Sequence, residues 1–400
     1  MAFIQVSEPM RPTLRFSFLA LGFRPFFLLA AGYAMLAVPL WLLIYSGAIE
    51  PVSYLPPSIW HAHEMIFGFA MAVIAGFLLT AASNWTAQVT AQGLPLAALV
   101  ILWIAGRILL ASGGALPFWL PVTVDVAFLP CVALALAIPL IRTRNRRNLV
   151  FPALLLLLAA LNFAIQAGAV GLLPVDPSRG LRAAVDIIIL VITILGGRVI
   201  PSFTRNVFPA ASSIGTCKIA NALTLASTAA FFLVDCSLGD SVVTGITALV
   251  VAIANILRVR RWGWWLTART PALWILHLGY GWIIIGMTLR GLSGVAGLVP
   301  LDAGLHALTA GAISLMSVGM MARVALGHTG RKIEMGGLVT SAFVGLTVAA
   351  FLRLAVPFLP VGLQHGFLVA AAITWSLSFA LFIIRYLPIL IKPRADGRPG

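Results

Sequence analysis

The sequence predicts an all-α integral membrane protein, and three observations support this fold class. The chain is 61% hydrophobic and only 9% charged, whereas an ordinary soluble domain has about 45–50% apolar residues. Its mean hydropathy is +1.06. Apolar runs of roughly 18 to 22 residues, each long enough to cross a bilayer as a helix, recur from Phe26 to Ile391.

The apolar runs are typical of helices rather than of barrel strands. Residues 151–160 are apolar on every face, whereas barrel strands alternate apolar and polar residues. We expect a polytopic bundle of about twelve transmembrane helices, forming a single transmembrane domain over residues 1–400 with short tails at 1–20 and 390–400. The predicted spans are 26–45, 63–82, 94–111, 119–141, 150–172, 181–203, 217–234, 241–257, 272–290, 302–322, 337–356 and 362–388.

The net charge of +15 is distributed unevenly between the two sides of this arrangement. Loops on one side carry the arginines and lysines, whereas the opposite loops near 46–60, 112–118, 235–240, 291–301 and 357–361 carry none. Arg179 and Arg182 are the exception. The positive-inside rule therefore places both termini in the cytoplasm. The basic residues are interpreted as topology signals and lipid contacts, not as a nucleic-acid surface.

Ionisable side chains inside a bilayer cost about 2.5–3.5 kcal/mol each on insertion scales, so each is a candidate functional residue. They form two predicted layers. The outer layer contains His61, His63, Glu64, Arg107, Asp125, Asp186, Asp302, His306 and His365. The inner layer contains Arg198, Arg205, Asn206, His277, Arg323 and His328. We expect the outer layer to converge, with Arg107, Asp125 or Asp186 supporting the histidines. His365 is interpreted as structural.

The stretch IWHAHEMIFGF places His61 and His63 at the start of the second span. On a regular helix the two rings point about 200° apart, so they serve one site only if the backbone is distorted. Otherwise they serve different centres, or they form ordinary hydrogen bonds near the headgroups.

The tenth span carries His306, Thr309, Ile313, Met316 and Met320 at a spacing that predicts one helical face, with Arg323 just beyond it. Imidazole and thioether ligands suit copper or haem iron, so this face is a candidate lining of a redox centre. Methionine also fills gaps in apolar cores, which is the alternative.

Three further motifs lie toward the predicted cytoplasmic side. WILHLGY places Tyr280 one turn after His277, a deep histidine that needs a partner for each ring nitrogen. GGRVIPSFTRN, residues 196–206, predicts an interruption of a span where the backbone lines a cavity. MARVALGHTGRK, residues 321–332, ends a span in a Gly-rich turn. The arginines of these motifs suit a propionate, phosphate or carboxylate, or else anionic lipid.

The motifs GFRPFF, WHAHEM, GFLLTA followed by NWT, RNRRN, GGRVIP with FTRN, HLGY, LHALT and M-x-R-V-x-LGHTGR occur in this order along the chain. In this order they resemble the NnrS family. The resemblance implies a multi-pass protein of the bacterial inner membrane that binds haem and copper and acts in nitric oxide metabolism or resistance to nitrosative stress. It implies His61, His63, His277, His306 and His328 as the metal residues, and Arg198, Arg205 and Arg323 as cofactor-binding residues.

Arg107 is a further predicted cofactor-binding residue, in the outer layer. No C-x-x-C-H motif is present, so the haem is expected to be noncovalent and b-type. The expected partners are the lipid bilayer and a diatomic gas such as nitric oxide. Two other functions compatible with twelve spans are a secondary transporter and an electron-transfer cytochrome. A transporter would commonly carry an internal repeat, and no half-to-half repeat is evident in the sequence.

Overall fold

The computed structural model describes residues 17–398, which are helical without strands. They contain twelve helices that are long and apolar enough to span a membrane. The first six helices are α1 (Phe23–Tyr45), α2 (Pro57–Thr86), α3 (Leu94–Ala111), α4 (Trp119–Arg142), α5 (Val150–Ala169) and α6 (Pro177–Val207). The other six are α7 (Lys218–Leu238), α8 (Val242–Val259), α9 (Pro271–Ala296), α10 (Leu301–His328), α11 (Gly337–Ala355) and α12 (Val361–Ile391).

The prediction of a twelve-helix membrane bundle is confirmed. Large apolar side chains point outward along the helices, as in a protein surrounded by hydrocarbon; Ile101, for example, is 66% exposed. The main difference at the ends is α2, which begins at Pro57 rather than near residue 63. Proline suits the first turn of a helix because the amide it lacks would be unpaired there. His61 and His63 consequently lie inside the helix.

The described residues divide into two compact units. The first comprises residues 17–178, 321–333 and 382–398, and the second comprises residues 179–320 and 334–381. Three of the four boundaries fall within the continuous helices α6, α10 and α12. The single transmembrane domain stays a prediction. Aromatic side chains fill the interior of each unit, with Phe26 and Phe69 fully buried in the first, and Trp282 and Phe343 in the second.

Two helices contain a π-helical segment, in which the backbone hydrogen bonds reach five residues back instead of four. One segment is Glu64–Ala70 in α2, and the other is Ala307–Ile313 in α10. Each follows a short α-helical piece capped by a proline, Pro56 or Pro300, and each begins directly after a histidine. These histidines are His63 and His306.

The similarity of α2 and α10 extends to their packing on the preceding long helix. Gly68 and Gly311 stand five residues after His63 and His306. A Cβ atom at Gly68 would lie 2.7 Å from the ring of Tyr33 on α1, and one at Gly311 would lie 2.5 Å from the ring of Trp282 on α9. Both glycines therefore permit an aromatic ring from the preceding helix to pack against the π-helical segment.

A second pair of glycines follows the same spacing. Gly76 and Gly319 stand thirteen residues after the two histidines. Gly76 packs against Phe26 and Phe27 of α1, and Gly319 packs against the corresponding pair of α9, Ile275 and Leu276. The pairs α1–α2 and α9–α10 thus share one plan of packing.

Candidate functional site

A network of charged side chains is buried inside the first unit. Arg107 of α3 donates from Nη1 to Glu64 Oε1 of α2 at 2.7 Å, and its Nη2 pairs with Asp125 Oδ1 of α4. Tyr33 of α1 donates to Glu64 Oε2. Both terminal nitrogens of Arg107 are held by protein carboxylates, so in this arrangement Arg107 is not placed to bind the carboxylate of a cofactor.

His63 is fully buried within this network, and both of its ring nitrogens face acceptors. Nδ1 lies 3.0 Å from Glu64 Oε1, and Nε2 lies 2.7 Å from Asn162 Oδ1 and 3.4 Å from Asp125 Oδ2. Each ring nitrogen thus has an oxygen acceptor within reach, and the amide nitrogen of Gln166 also lies 3.5 Å from Nε2. The network therefore holds the His63 ring from both sides.

Amide side chains of α5 complete the network. Asn162 and Gln166 donate to Asp125 Oδ2 at 2.7 and 2.8 Å, and Gln166 also donates to Asn162 Oδ1 at 2.7 Å. Tyr54, in the segment between α1 and α2, donates to Gln166 Oε1. Burial, and secondarily the charge of Glu64, raise the pKa of the Tyr54 phenol above its usual value. A metal at His63 would have to displace these partners.

His61 lies outside the charged network. Its ring stacks on Trp41 of α1 at a centroid distance of 4.3 Å and an interplanar angle of 27°. It is half-buried, whereas His63 is fully buried. The two neighbouring histidines of α2 thus have different surroundings.

His306 has a different hydrogen-bonding pattern from His63, although it holds the corresponding position on α10. Nδ1 lies 2.8 Å from the backbone carbonyl oxygen of Asp302. A carbonyl only accepts, so Nδ1 carries the proton and Nε2 carries the lone pair. Nε2 has no hydrogen-bond partner within residues 17–398. The residue after His306 is Ala307, where α2 has Glu64.

The predicted stripe from His306 to Met320 is changed by the π-helical segment. The predicted stripe assumes the 3.6 residues per turn of a regular α-helix, whereas residues 307–313 form a π-helix with a wider turn. His306 and the methionines therefore do not follow the one face that the sequence spacing predicts. Met316 is buried, as expected for a side chain that fills a core.

His277 of α9 contacts α6 through a single hydrogen bond. Its Nε2 lies 2.9 Å from the hydroxyl oxygen of Thr204, and this hydroxyl donates its own proton to the carbonyl of Ile200 at 2.9 Å. Nε2 of His277 is then the donor to Thr204, and the lone pair lies on Nδ1. Gly281, one turn after His277, has nothing within 4 Å of the position of a Cβ atom.

Tyr280 lies beside His277 and belongs to a network that the sequence did not predict. Arg258 of α8 donates to the Tyr280 hydroxyl at 2.8 Å and to the carbonyl of Thr193 at 2.9 Å. Tyr280 donates to Asn255 Oδ1 at 2.6 Å. The guanidinium of Arg258 also lies 5.6 Å from the ring centroid of Trp262. No carboxylate forms an ion pair with Arg258 in the described part of the chain.

The glycines of GGRVIP have a different role from the one predicted. The interruption of the span expected there was wrong, because α6 is continuous from Pro177 to Val207 with Pro201 inside it. A Cβ atom at Gly197 would overlap the guanidinium of Arg258, and one at Gly196 would lie 3.0 Å from the ring of Tyr280. The glycines permit close packing against α8 and α9.

The remaining predicted residues lie near helix ends. Arg198 is half-buried on α6, and Arg205 is exposed at the end of that helix. Arg323 is half-buried on α10. His328 is the last residue of α10, and its ring lies 5.8 Å from that of Phe23. His365 is exposed in the first turn of α12 rather than in a loop.

A second buried charged cluster lies in the second unit. Arg290 of α9 bonds to Asp186 Oδ1 of α6 at 3.1 Å and to Asp235 Oδ1 of α7 at 2.8 Å. The sequence places Asp235 in a predicted loop and Arg290 at the end of a predicted span, so neither is marked as a candidate there. The helices α7 and α9 extend to Leu238 and Ala296, so both residues lie inside a spanning helix. A charged residue inside a span is the sequence signal that could have marked them as candidates.

The predicted residues are not gathered into one metal-binding group. Across residues 17–398, no three or more His, Cys, Asp or Glu side chains are arranged to hold a metal ion. A centre shared by His61, His63 and His306 therefore stays a prediction. The hydrogen bonds of His277 and His306 each leave one ring nitrogen for a ligand.

Comparisons with known proteins agree with the motifs. A family model described as NnrS protein matches residues 17–394, nearly the whole chain. The comparison with curated proteins finds no match.

Proposed function

The chain belongs to the NnrS family, and from this premise we propose that it binds noncovalent haem and copper in a bacterial inner membrane and acts on nitric oxide there. The proposal extends the twelve-helix membrane bundle to a redox protein with a diatomic gas as its ligand. Haem iron and copper, when bound, supply a coordination position at which a diatomic molecule binds. The chain's own residues hold and orient the cofactor.

His306 is the observation that carries the proposal. Metal-binding histidines normally donate the second ring nitrogen to a carbonyl or carboxylate, which fixes the tautomer and orients the ring. The 2.8 Å contact of His306 Nδ1 with the Asp302 carbonyl has this form and leaves Nε2 with its lone pair. His306 is therefore the proposed metal ligand of α10.

His277 is the second proposed ligand. The bond to Thr204 holds its ring and leaves the lone pair on Nδ1. The open space at Gly281 lies on the same helix face, because residues four apart lie one above the other. A haem held by His277 would need room on this face. Either ring nitrogen of a histidine, Nδ1 or Nε2, can bind a metal.

The donor sets fit haem better than copper. Haem iron would need one or two histidines to hold it, and His277 and His306 each offer one nitrogen. A copper site needs several ligands around one ion, and the described residues contain no such group. The copper part of the proposal therefore rests on the family alone, and metal analysis decides it.

Arg205 and Arg198 are the proposed contacts for the haem propionates. Both lie on α6, the helix that carries Thr204, and Thr204 is bonded to His277. Guanidinium groups bind carboxylates through paired hydrogen bonds. Arg205 is exposed, so its head group is accessible to such a carboxylate.

The experiment is the optical spectrum of the full chain purified in detergent, recorded oxidised, reduced and with nitric oxide, together with haem and copper analysis. We expect a noncovalent haem spectrum that changes when nitric oxide is added to the reduced protein. A haem spectrum that nitric oxide leaves unchanged would favour an electron-transfer cytochrome. A colourless, metal-poor protein would contradict the proposal and favour a secondary transporter.

A further inference from the structure

The cluster of Asp186, Asp235 and Arg290 contains more negative than positive charge. Two carboxylates share one guanidinium, with contacts of 3.1 Å and 2.8 Å. The three side chains are at most 3% exposed. The ring of Phe231 covers the guanidinium at 4.8 Å and shields the cluster further.

One carboxylate oxygen of this cluster lacks a hydrogen-bond donor. Asp186 Oδ2 is buried and accepts no hydrogen bond from residues 17–398. The carboxyl groups of Asp186 and Asp235 are held side by side, because one guanidinium binds the first through Nη1 and the second through Nη2. Two ionised carboxylates held next to each other repel, whereas a carboxylic acid and a carboxylate can share a proton.

The other charged groups nearby do not neutralise the excess. Arg182 lies one turn before Asp186 on α6, but it pairs with the half-exposed Asp240 at 3.6 Å. Arg179 lies further toward the start of α6, and Cys236 is a neighbour of Asp235. An uncompensated charge in an apolar interior costs several kcal/mol. The cluster therefore requires a bound positive charge.

We propose that Asp186 and Asp235 form a proton-binding site, in which the two carboxyl groups share one proton beside Arg290. The proton comes from water and sits on the line between the carboxyls, and Arg290 neutralises the remaining negative charge. The site is separate from the proposed metal ligands, and it holds whether or not the chain binds haem. Buried carboxyl groups of this kind serve as stations in proton relays across membranes.

A metal cation is the competing ligand. Hard cations need several oxygen ligands around one centre. The described residues contain no metal-binding group of three or more His, Cys, Asp or Glu side chains. The carboxyl pair, with a single oxygen that accepts no hydrogen bond, thus fits a proton better than a metal cation.

Infrared spectroscopy of the full chain tests the site, because a protonated carboxyl group has a carbonyl stretch that an ionised one lacks. The chain has only 11 Asp and Glu residues, so a band can be assigned by substitution. We expect the wild type at neutral pH to show a protonated-carboxyl band that shifts in heavy water and is insensitive to sodium. Asp186→Asn and Asp235→Asn should each remove it, and Asp240→Asn should keep it.

Three results would overturn the proposal. They are the absence of the band in the wild type, its loss when sodium is added, and its persistence in both aspartate variants. If the asparagine variants fail to fold, Asp235→Glu replaces them, because a longer acid must shift the band if Asp235 shares the proton. An unchanged band in Asp235→Glu would also contradict the site.

Discussion

His63 and His306 hold corresponding positions on α2 and α10, each as the residue that precedes a π-helical segment. Their hydrogen bonds differ. His63 faces Glu64 and Asn162 with its two nitrogens, whereas His306 uses one nitrogen on the Asp302 carbonyl. The same backbone arrangement therefore supports a histidine with hydrogen-bond acceptors at both ring nitrogens in one case and a candidate metal ligand in the other.

Arg107→Ala should strongly destabilise the protein. It leaves Glu64 and Asp125 buried without their cation, a change that costs about 3–5 kcal/mol for a buried pair. Thermal unfolding of the detergent-solubilised protein measures the effect. Arg142→Ala removes an exposed arginine from the end of α4 and serves as the control. Equal unfolding temperatures for the two variants would show that the network does not stabilise the fold.

Gly197→Ala should destabilise the packing of α6 against α8. The added methyl group overlaps the guanidinium of Arg258, and overpacking of this kind costs about 1–3 kcal/mol. Gly32→Ala on α1 is the matched control, because nothing lies within 4 Å of its Cβ position. In that variant the better helix propensity of alanine should leave the stability unchanged or raise it by up to about 1 kcal/mol. A Gly197→Ala protein as stable as Gly32→Ala would exclude the close packing.

Cys217 provides a test of the predicted topology. It is exposed just before α7, and the backbone N–H groups of Ala220 and Ile219 lower the pKa of its thiol. A lower pKa gives more thiolate at neutral pH and faster reaction with maleimides. With Cys131 and Cys236 replaced by serine, a membrane-impermeant maleimide should label Cys217 in inverted vesicles but not in intact spheroplasts.

The opposite labelling pattern would place this loop outside the cytoplasm. Reporters fused at Gly400 give an independent result. A reporter that is active only in the cytoplasm should be active there, whereas one that is active only in the periplasm should be inactive. Both expected results follow from the alternation along the chain of loops that carry arginine and lysine with loops that carry none.

The sequence predicts the twelve spans well because the free energy of placing apolar residues in lipid depends on composition and length alone. The networks are less predictable because their members look ordinary in sequence. Asn162 and Gln166 are uncharged, and Arg258 was assigned to a basic cytoplasmic loop. Their roles depend on side chains of other helices, which a single sequence does not pair.

The π-helical segments and the shared plan of α1–α2 and α9–α10 were also missed. The residues between the matching glycines of α2 and α10 differ almost completely, so only the spacing is shared. A π-helical turn is a property of the backbone hydrogen bonds, and no residue type specifies it. Spacing from a histidine to two glycines is the signal that could have indicated it.

The measurement that tests the central claim most directly is the cofactor content of His306→Ala, compared with that of His365→Ala, which removes an exposed histidine. Haem and copper are quantified in both proteins, and the optical spectra are recorded in the reduced state. We predict that His306→Ala folds but loses one cofactor, while His365→Ala keeps the wild-type content and spectrum. Full wild-type content and an unchanged spectrum in folded His306→Ala would contradict the assignment of His306 as a metal ligand.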